Sequence, residues 1–301
     1  MTEANTAGRT VTFGVNVDPV AVPADELVAL ARVAEDSGFD LIGIQDHPYQ
    51  ARFYDTWTLI AYLAANTRSI AYTPNVANLG LRTPAMLAKS AATLSRLLGG
   101  RLVCGVGAGA SGGPIPAMGG IDRSGPAMIA YAEQSIELMR TALRGDIVKL
   151  HTDQFDVRGY RGGPAASVPL WVGGRMRKML GVIGRAADGW LSPGSSSLKP
   201  GMVPRLNSLI DDAAVAAGRD PASIRRIYNV QGVVGRPGAA DLAGPVEAWV
   251  EWLVDWAGRL GFDGFVFWPM TDPAHQTAVF GNEVIPRVRE ALAARTAVAP
   301  R

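Results

Sequence analysis

Short, continuous apolar runs alternate along the chain with longer stretches whose apolar residues recur at helical spacing. The first run is about Val11–Val17, followed by a helix over about Ala24–Ser37 with Leu27, Leu30, Ala31 and Ala34 on one face. The pattern then repeats. Strands are predicted at Leu41–Gln45, Ser69–Val76, Arg101–Gly107, Val168–Val172, Gly189–Ser192, Ile224–Val234 and Gly264–Trp268. Helices are predicted at about Thr56–Ala65, Pro84–Leu98, Pro126–Leu143, Arg175–Ala187, Met202–Ala217, Val246–Leu260 and His275–Ala294. Glycine closes several helices just before a strand, as in "EDSGFDLIGI" (35–44) and "GRLGFDGFVFW" (258–268), where it suits the left-handed position after a helix. The strands are apolar throughout rather than alternating, the pattern of a parallel sheet covered on both faces.

Eight β/α units in 301 residues predict an α/β protein of the (β/α)8 TIM-barrel class, with a doubly wound sheet as the alternative. A long loop, Ala108–Gly125, follows the fourth strand, and a polar excursion, Gly145–Ser167, precedes the fifth. The Pro/Gly-rich stretches read as loops within the barrel. The expectation is therefore one domain over 1–301, with loose ends at 1–10 and 296–301.

Composition narrows the partners. The formal charge of +2 gives no reason to expect nucleic acid or an anionic membrane surface. No run approaches the about 20 apolar residues of a membrane span, and Met1–Thr10 is too polar for a signal peptide. The single cysteine, Cys104, lies in an apolar run and reads as a buried structural thiol, in keeping with a reducing cytoplasm. One cysteine and the scattered His47, His151 and His275 offer no zinc-ligand spacing, so no metal is expected. Trp249, Trp252 and Trp256 share a helical face, which reads as core packing, with a homodimer interface as the alternative use.

In such a barrel the chemistry gathers at the C-terminal ends of the strands. Asn16 and Asp18 follow the first strand, and Gln45, Asp46, His47 and Tyr49 follow the second. Asn75 and Asn78 come after the third, Gly107 and Gly109 after the fourth, Ser192, Gly194 and Ser195 after the sixth, and Trp268, Pro269 and Met270 after the eighth. His47 has an ordinary pKa of about 6.5 and suits proton transfer or a hydrogen bond to developing charge. Asp46 is its candidate support, although neighbours on a strand face opposite ways. His151 and His275 read as structural. "GVGAGASGG" (105–113) lacks the Gly-Lys-Ser/Thr ending of a nucleotide P-loop, but its spaced glycines allow backbone to approach a flat ligand. In "WVGGRMRK" (171–178), Gly173 and Gly174 precede a helix N-terminus beside Arg175, Arg177 and Lys178, an arrangement suited to a phosphate or polyanion.

Several segments together resemble the bacterial luciferase-like superfamily of flavin- and deazaflavin-dependent oxidoreductases and monooxygenases. They are "DLIGIQDHPYQ", "DTWTLIAYLAANTRSI", "TPNVANLGLRTPAMLAKSAATLSRLLGGRLVCGVGAG", "VPLWVGG" and "GRAADGWL", covering about 11–195. The resemblance implies the same barrel by a second route. It implies catalytic roles for Asp46 and His47, with the histidine at the cofactor ring. It implies a non-prolyl cis bond at Asn75–Val76 behind that ring, cofactor contacts from Gly107 and Gly109, and a phosphate turn at Gly173, Gly174 and Arg175. Two departures stand out. Ala110 occupies the place of a glutamate proton donor of the deazaflavin-dependent sugar-phosphate dehydrogenases, and Pro48, Tyr49, Gln50 and Ala51 stand where those enzymes have a tryptophan.

The implied cofactor is coenzyme F-420, an 8-hydroxy-5-deazaflavin, or FMN. The basic group at Arg175, Arg177 and Lys178 suits the lactyl–oligoglutamate tail of F-420, and the chain lacks long insertions. The leading expectation is an F-420-dependent hydride transfer to or from a small organic substrate. The alternatives are an FMN-dependent monooxygenase using reduced flavin and O2, and a non-catalytic flavin-binding protein. A phosphate-binding barrel lyase is more distant, because no Lys or metal cluster lies at the strand ends.

Overall fold

The computed structural model describes residues 10–109, 112–235 and 242–298. It contains the expected alternation. The first half runs β1 (Thr12–Asn16), α1 (Ala24–Asp36), β2 (Leu41–Ile44), α2 (Thr56–Ala65), β3 (Ala71–Pro74), β4 (Ala77–Asn78), α3 (Pro84–Leu97) and β5 (Cys104–Gly107). Then come α4 (Pro114–Ala117), α5 (Gly125–Leu143), β6 (Ile147–His151), β7 (Asp156–Arg161), β8 (Leu170–Gly173), α6 (Arg177–Ala186) and β9 (Gly189–Gly194). The chain closes with α7 (Val203–Ala216), β10 (Arg225–Val234), β11 (Leu242–Gly244), α8 (Val246–Leu260), β12 (Gly264–Pro269), α9 (Pro273–Val279) and α10 (Ile285–Val298).

The sheet is parallel in the order β3-β2-β1-β12-β10-β9-β8-β5-β4. It curls shut because β3 also meets the residues that lead into β5, the fourth barrel strand. The Tyr72 amide donates to the Arg101 carbonyl at 3.1 Å, and the Val103 amide to the Tyr72 carbonyl at 2.9 Å. β3 and β4 together form one barrel strand, interrupted at Asn75–Val76, so the ring has the eight positions of a TIM barrel.

Two clusters of apolar residues show which side chains face which way. The large one, including Phe13, Val15, Tyr72, Cys104, Val106, Tyr228, Phe265 and Phe267, lies between the strands and the helices. The small one, Leu41, Trp171, Leu191, Ile227 and Val266, fills the barrel interior. Side chains therefore alternate strictly along each strand. Glycines on the inner face make room for the large residues of that cluster. A Cβ on Gly189 would stand 2.5 Å from the Trp171 ring, and one on Gly264 would stand 2.4 Å from Ile227 Cδ1. Trp249, buried completely, packs on Phe267 and Phe280, and Trp256 is buried against Tyr228, which fits the core reading of the tryptophan face.

Three expectations are corrected. The polar excursion at Gly145–Ser167 is an antiparallel hairpin, β6–β7, with only Val148 fully buried; its charged, exposed face hides the strand pattern. The loop after the fourth strand carries the short helix α4. The final helix is two helices joined by a π-helical turn at Phe280–Val284. There Gly281 lies so close to the end of α1 that a Cβ would stand 2.4 Å from Ser37 Cβ. The expected loose ends lie outside the described residues, except for Thr10 and part of the last helix.

Candidate active site

Asp46 and His47 leave β2 in opposite directions. Asp46 has no side-chain exposure. Its Oδ2 accepts from the Asn78 amide (2.9 Å) and Arg82 Nε (2.8 Å), and its Oδ1 accepts from Arg82 Nη2 (2.8 Å). Arg82 also reaches Asp55 Oδ1 at 2.5 Å, and Asp55 caps α2 through the Thr58 amide. Burial works against the Arg82 charge, but the two carboxylates outweigh it and raise its pKa. The expected support of His47 by Asp46 is therefore corrected. Both Asp46 oxygens are engaged by Arg82, and the carboxylate fastens the segment beyond β4 to the end of β2. Arg82 itself gave no sequence signal, since it stands in a loop with no spacing to mark it.

His47 is half-buried, and its Nδ1 lies 2.6 Å from Tyr49 Oη. A turn closed by the Gln50 amide on the His47 carbonyl (2.9 Å), with Pro48 at its second position, folds the tyrosine back onto the imidazole. Burial lowers the His47 pKa, opposed by the charges of Asp46 and Asp18. Burial, helped by Asp46, raises that of Tyr49. Both groups are neutral near pH 7.

The mouth of the barrel is lined by amides. Asn16, Gln45, Asn75, Asn229 and Trp268 occupy the inward register above the apolar interior, two or four residues on from the inward-facing positions Gly14, Leu41, Ala71, Ile227 and Val266. The Asn75–Val76 peptide is cis, as the resemblance implies. Asn75 Nδ2 donates to Asn229 Oδ1 (2.7 Å), which also accepts from Trp268 Nε1 (2.9 Å). Asn229 Nδ2 donates to the Ser192 carbonyl (2.5 Å), beside an irregularity in the β9–β10 pairing. On the other side, Asn16 Nδ2 and Gln45 Nε2 both donate to Asp18 Oδ1. Asn16 Oδ1 is buried without a partner. Asn229 was missed from sequence, although a polar residue at alternate positions of "RRIYNVQGVV" with Gln231 was the available signal.

Val76 lies across two glycines. A Cβ on Gly107 would stand 2.6 Å from Val76 Cγ2, and one on Gly173 would stand 3.2 Å from the same atom. Gly109 has φ +83°, and a Cβ there would stand 2.8 Å from both Asn78 Oδ1 and Ile115 Cδ1. Gly105 is tighter still, facing the Pro74 carbonyl. Beyond Gly173, helix α6 begins at Arg177, two residues later than expected. Gly174, Arg175 and Met176 thus form a loop, and no side chain caps the helix, so its first N–H groups are open. Arg175, Arg177 and Lys178 are exposed and form no ion pair among the described residues. Ala110 lies outside the described residues.

His151 pairs with Asp156 on the hairpin, and His275 is exposed at the start of α9. Burial pushes the Cys104 thiol up to about 12, consistent with an inert core thiol. Among the described residues no group of three or more His, Cys, Asp or Glu is placed to hold a metal, and no helix is long and apolar enough to cross a membrane. A cavity of about 700 Å³ lies at the opposite end of the barrel, but its arginines are engaged: Arg140 with Asp188, Arg144 with Asp146 and Arg225 with Asp263. In this fold that end serves stability.

The sequence profile of the luciferase-like monooxygenase family matches residues 7–249. A relative, the 5,10-methylenetetrahydromethanopterin reductase of Methanolobus tindarius, is 32% identical over 214 residues, 71% of this chain and 62% of that protein. The chain thus spans less than two thirds of that relative's length. An F-420-dependent secondary alcohol dehydrogenase in complex with an F-420–acetone adduct superposes with a TM-score of 0.80 at 19% identity, covering 93% of this chain and 99% of that one. The EDTA monooxygenase of Chelativorans sp. BNC1 superposes with a TM-score of 0.80 at 14% identity, covering 94% of each chain. At these identities the superpositions speak for the barrel alone. With the barrel closed and the family profile matched over most of its length, the chain belongs to the luciferase-like monooxygenase family.

Proposed function

We propose that the protein is an F-420-dependent oxidoreductase acting on a small organic substrate at the C-terminal mouth of the barrel. The observation that carries this reading is the shelf made by Val76 over Gly107 and Gly173, next to an uncapped helix start flanked by Arg175, Arg177 and Lys178. A planar ring fits against the apolar Val76 side chain, which the two glycines let sit low in the barrel mouth, and an anionic tail fits the open N–H groups and the cations. The unpartnered Asn16 Oδ1 supplies an acceptor for a ring or ribityl donor. The residues present therefore fit a deazaflavin. Gly107, Gly109, Gly173, Gly174 and Arg175 would hold it, with Asn75 and Val76 behind the ring.

When bound, F-420 supplies a hydride equivalent at C5 of its deazaflavin. The chain itself supplies hydrogen bonds: the inward amides Asn16, Gln45, Asn75 and Asn229 carry no charge, and the Asp18 carboxylate beside them is held by Asn16 and Gln45. His47, held neutral by burial, is the group suited to hydrogen-bond a substrate oxygen as its charge changes. Relationship to a reductase at 32% identity supports hydride transfer over oxygen insertion.

The second reading is an FMN-dependent monooxygenase. It is favoured by the Gly173–Gly174 turn, which alone suffices for a single phosphate. Titration of the purified protein with F-420 and with FMN, followed by fluorescence, separates the two. Tight F-420 binding with weak FMN binding is expected, and the reverse order overturns the proposal. A His47→Ala variant that binds F-420 as the parent does but loses turnover assigns the histidine to chemistry; unaltered turnover removes that role.

A further inference from the structure

His47 needs a partner that sets its tautomer, and the adjacent carboxylate is not that partner. Both oxygens of Asp46 are taken by Arg82 and the Asn78 amide. The group actually in contact with the ring is the Tyr49 hydroxyl, 2.6 Å from Nδ1, with ring centroids 5.4 Å apart and planes at 60°. We propose that Tyr49 is a positioning residue for His47: its hydroxyl donates to Nδ1, holds the imidazole as the Nε2–H tautomer, and leaves that N–H as the donor offered to substrate. The last clause rests on the site reading above.

The direction of the bond follows from relative basicity. A phenol is a better hydrogen-bond donor than a neutral imidazole N–H, and an unprotonated imidazole nitrogen is a better acceptor than a phenol oxygen. Between two neutral partners, the phenol therefore donates. Burial keeps both partners neutral, so this condition is met. The alternative arrangement, Nδ1–H donating to the phenol oxygen, would turn a lone pair rather than a proton toward substrate. It would suit a base but not a donor. The Pro48 turn makes the contact local and rigid: it needs no residue from another strand, and Tyr49 reaches His47 from two positions along the chain. His151 supplies a contrast within the same molecule. Its Nδ1 faces the Asp156 carboxylate at 2.7 Å, which can only accept, so that ring carries Nδ1–H.

The test uses the full chain labelled with 15N-histidine, at about pH 8.5, where imidazoles are neutral. Two-bond 1H–15N correlations distinguish the tautomers, and His47→Gln identifies the His47 signals. The expected result is His47 as Nε2–H, with its Nδ1 resonance shifted upfield by hydrogen bonding, and His151 as Nδ1–H. In Tyr49→Phe the His47 Nδ1 resonance moves downfield to the position of a free nitrogen, while F-420 affinity is unchanged. His47 found as Nδ1–H in the parent protein overturns the proposal without any variant. An Nδ1 shift indifferent to Tyr49→Phe also overturns it. Failure of the parent protein to bind F-420 or FMN instead overturns the site reading, and with it the substrate-facing role, whatever the tautomer.

Discussion

Arg82 grips Asp46 with two parallel hydrogen bonds, Nε to Oδ2 and Nη2 to Oδ1, each 2.8 Å, with the carboxylate wholly buried. Such a fork ties the loop after β4 to the end of β2, and so sets where His47 and Asn75 stand relative to each other. Removing one partner leaves a buried charge without its counter-ion. Arg82→Ala is expected to cost about 3–5 kcal/mol. Arg82→Lys is expected to recover only part, because an ammonium lacks the planar fork. Urea unfolding followed by circular dichroism checks both, and a loss below about 1 kcal/mol would show the pair to be dispensable.

Asn229 joins Asn75 and Trp268 across the mouth while anchoring itself to the Ser192 carbonyl. Asn229→Ala releases both partners on the side of the site that backs the proposed ring. F-420 affinity is expected to fall roughly tenfold, the worth of about one well-placed hydrogen bond. Fluorescence titration measures it. Affinity equal to the parent's would remove Asn229 from the binding machinery.

Gly107 lies beneath Val76, and a Cβ there would meet Val76 Cγ2 at 2.6 Å. Gly107→Ala is expected to destabilise the fold by about 1–3 kcal/mol through overpacking and to weaken cofactor binding. Combining it with Val76→Ala removes the clash. Stability should return toward that of Val76→Ala alone, a non-additivity that a double-mutant cycle reads directly.

Glu35, at the end of α1, accepts from the amides of Arg68, Ser69 and Ile70 and from the Ser69 hydroxyl. Burial by itself raises its pKa, but these donors prevail and bring it down to about 2 from the usual 4.5. The folded pKa is thus the lower one, so the carboxylate's stabilisation is fully present above about pH 4.5 and is lost as pH falls toward 2. Glu35→Gln is expected to cost about 1–3 kcal/mol at pH 7 and to flatten the acid limb of the stability curve. Thermal unfolding from pH 7 to 3 tests this; parallel curves for parent and variant would refute it.

The helices and barrel strands were legible because their signals are local. Apolar spacing marks helices, glycine marks their ends, and the predicted bounds of α2 and α8 agree with the structure residue for residue. The β6–β7 hairpin was not legible, since a solvent-facing ribbon packs too little apolar surface to leave a pattern. The placement of the candidate site residues was legible by position. Asp46, His47, Asn75, Val76, Gly107, Gly109, Gly173, Gly174 and Arg175 all stand at the C-terminal ends of the strands, where the fold class puts the chemistry.

By itself, the sequence determined the eight-fold β/α alternation, the strand ends where candidate site residues gather and the family motifs, all properties of neighbours along the chain. Tertiary structure alone decided which side chains meet. It gave Asp46 to Arg82 rather than to His47, and joined Asn75 to an asparagine 154 positions away. These pairings depend on barrel closure, and no spacing along the chain encodes a distance across the barrel.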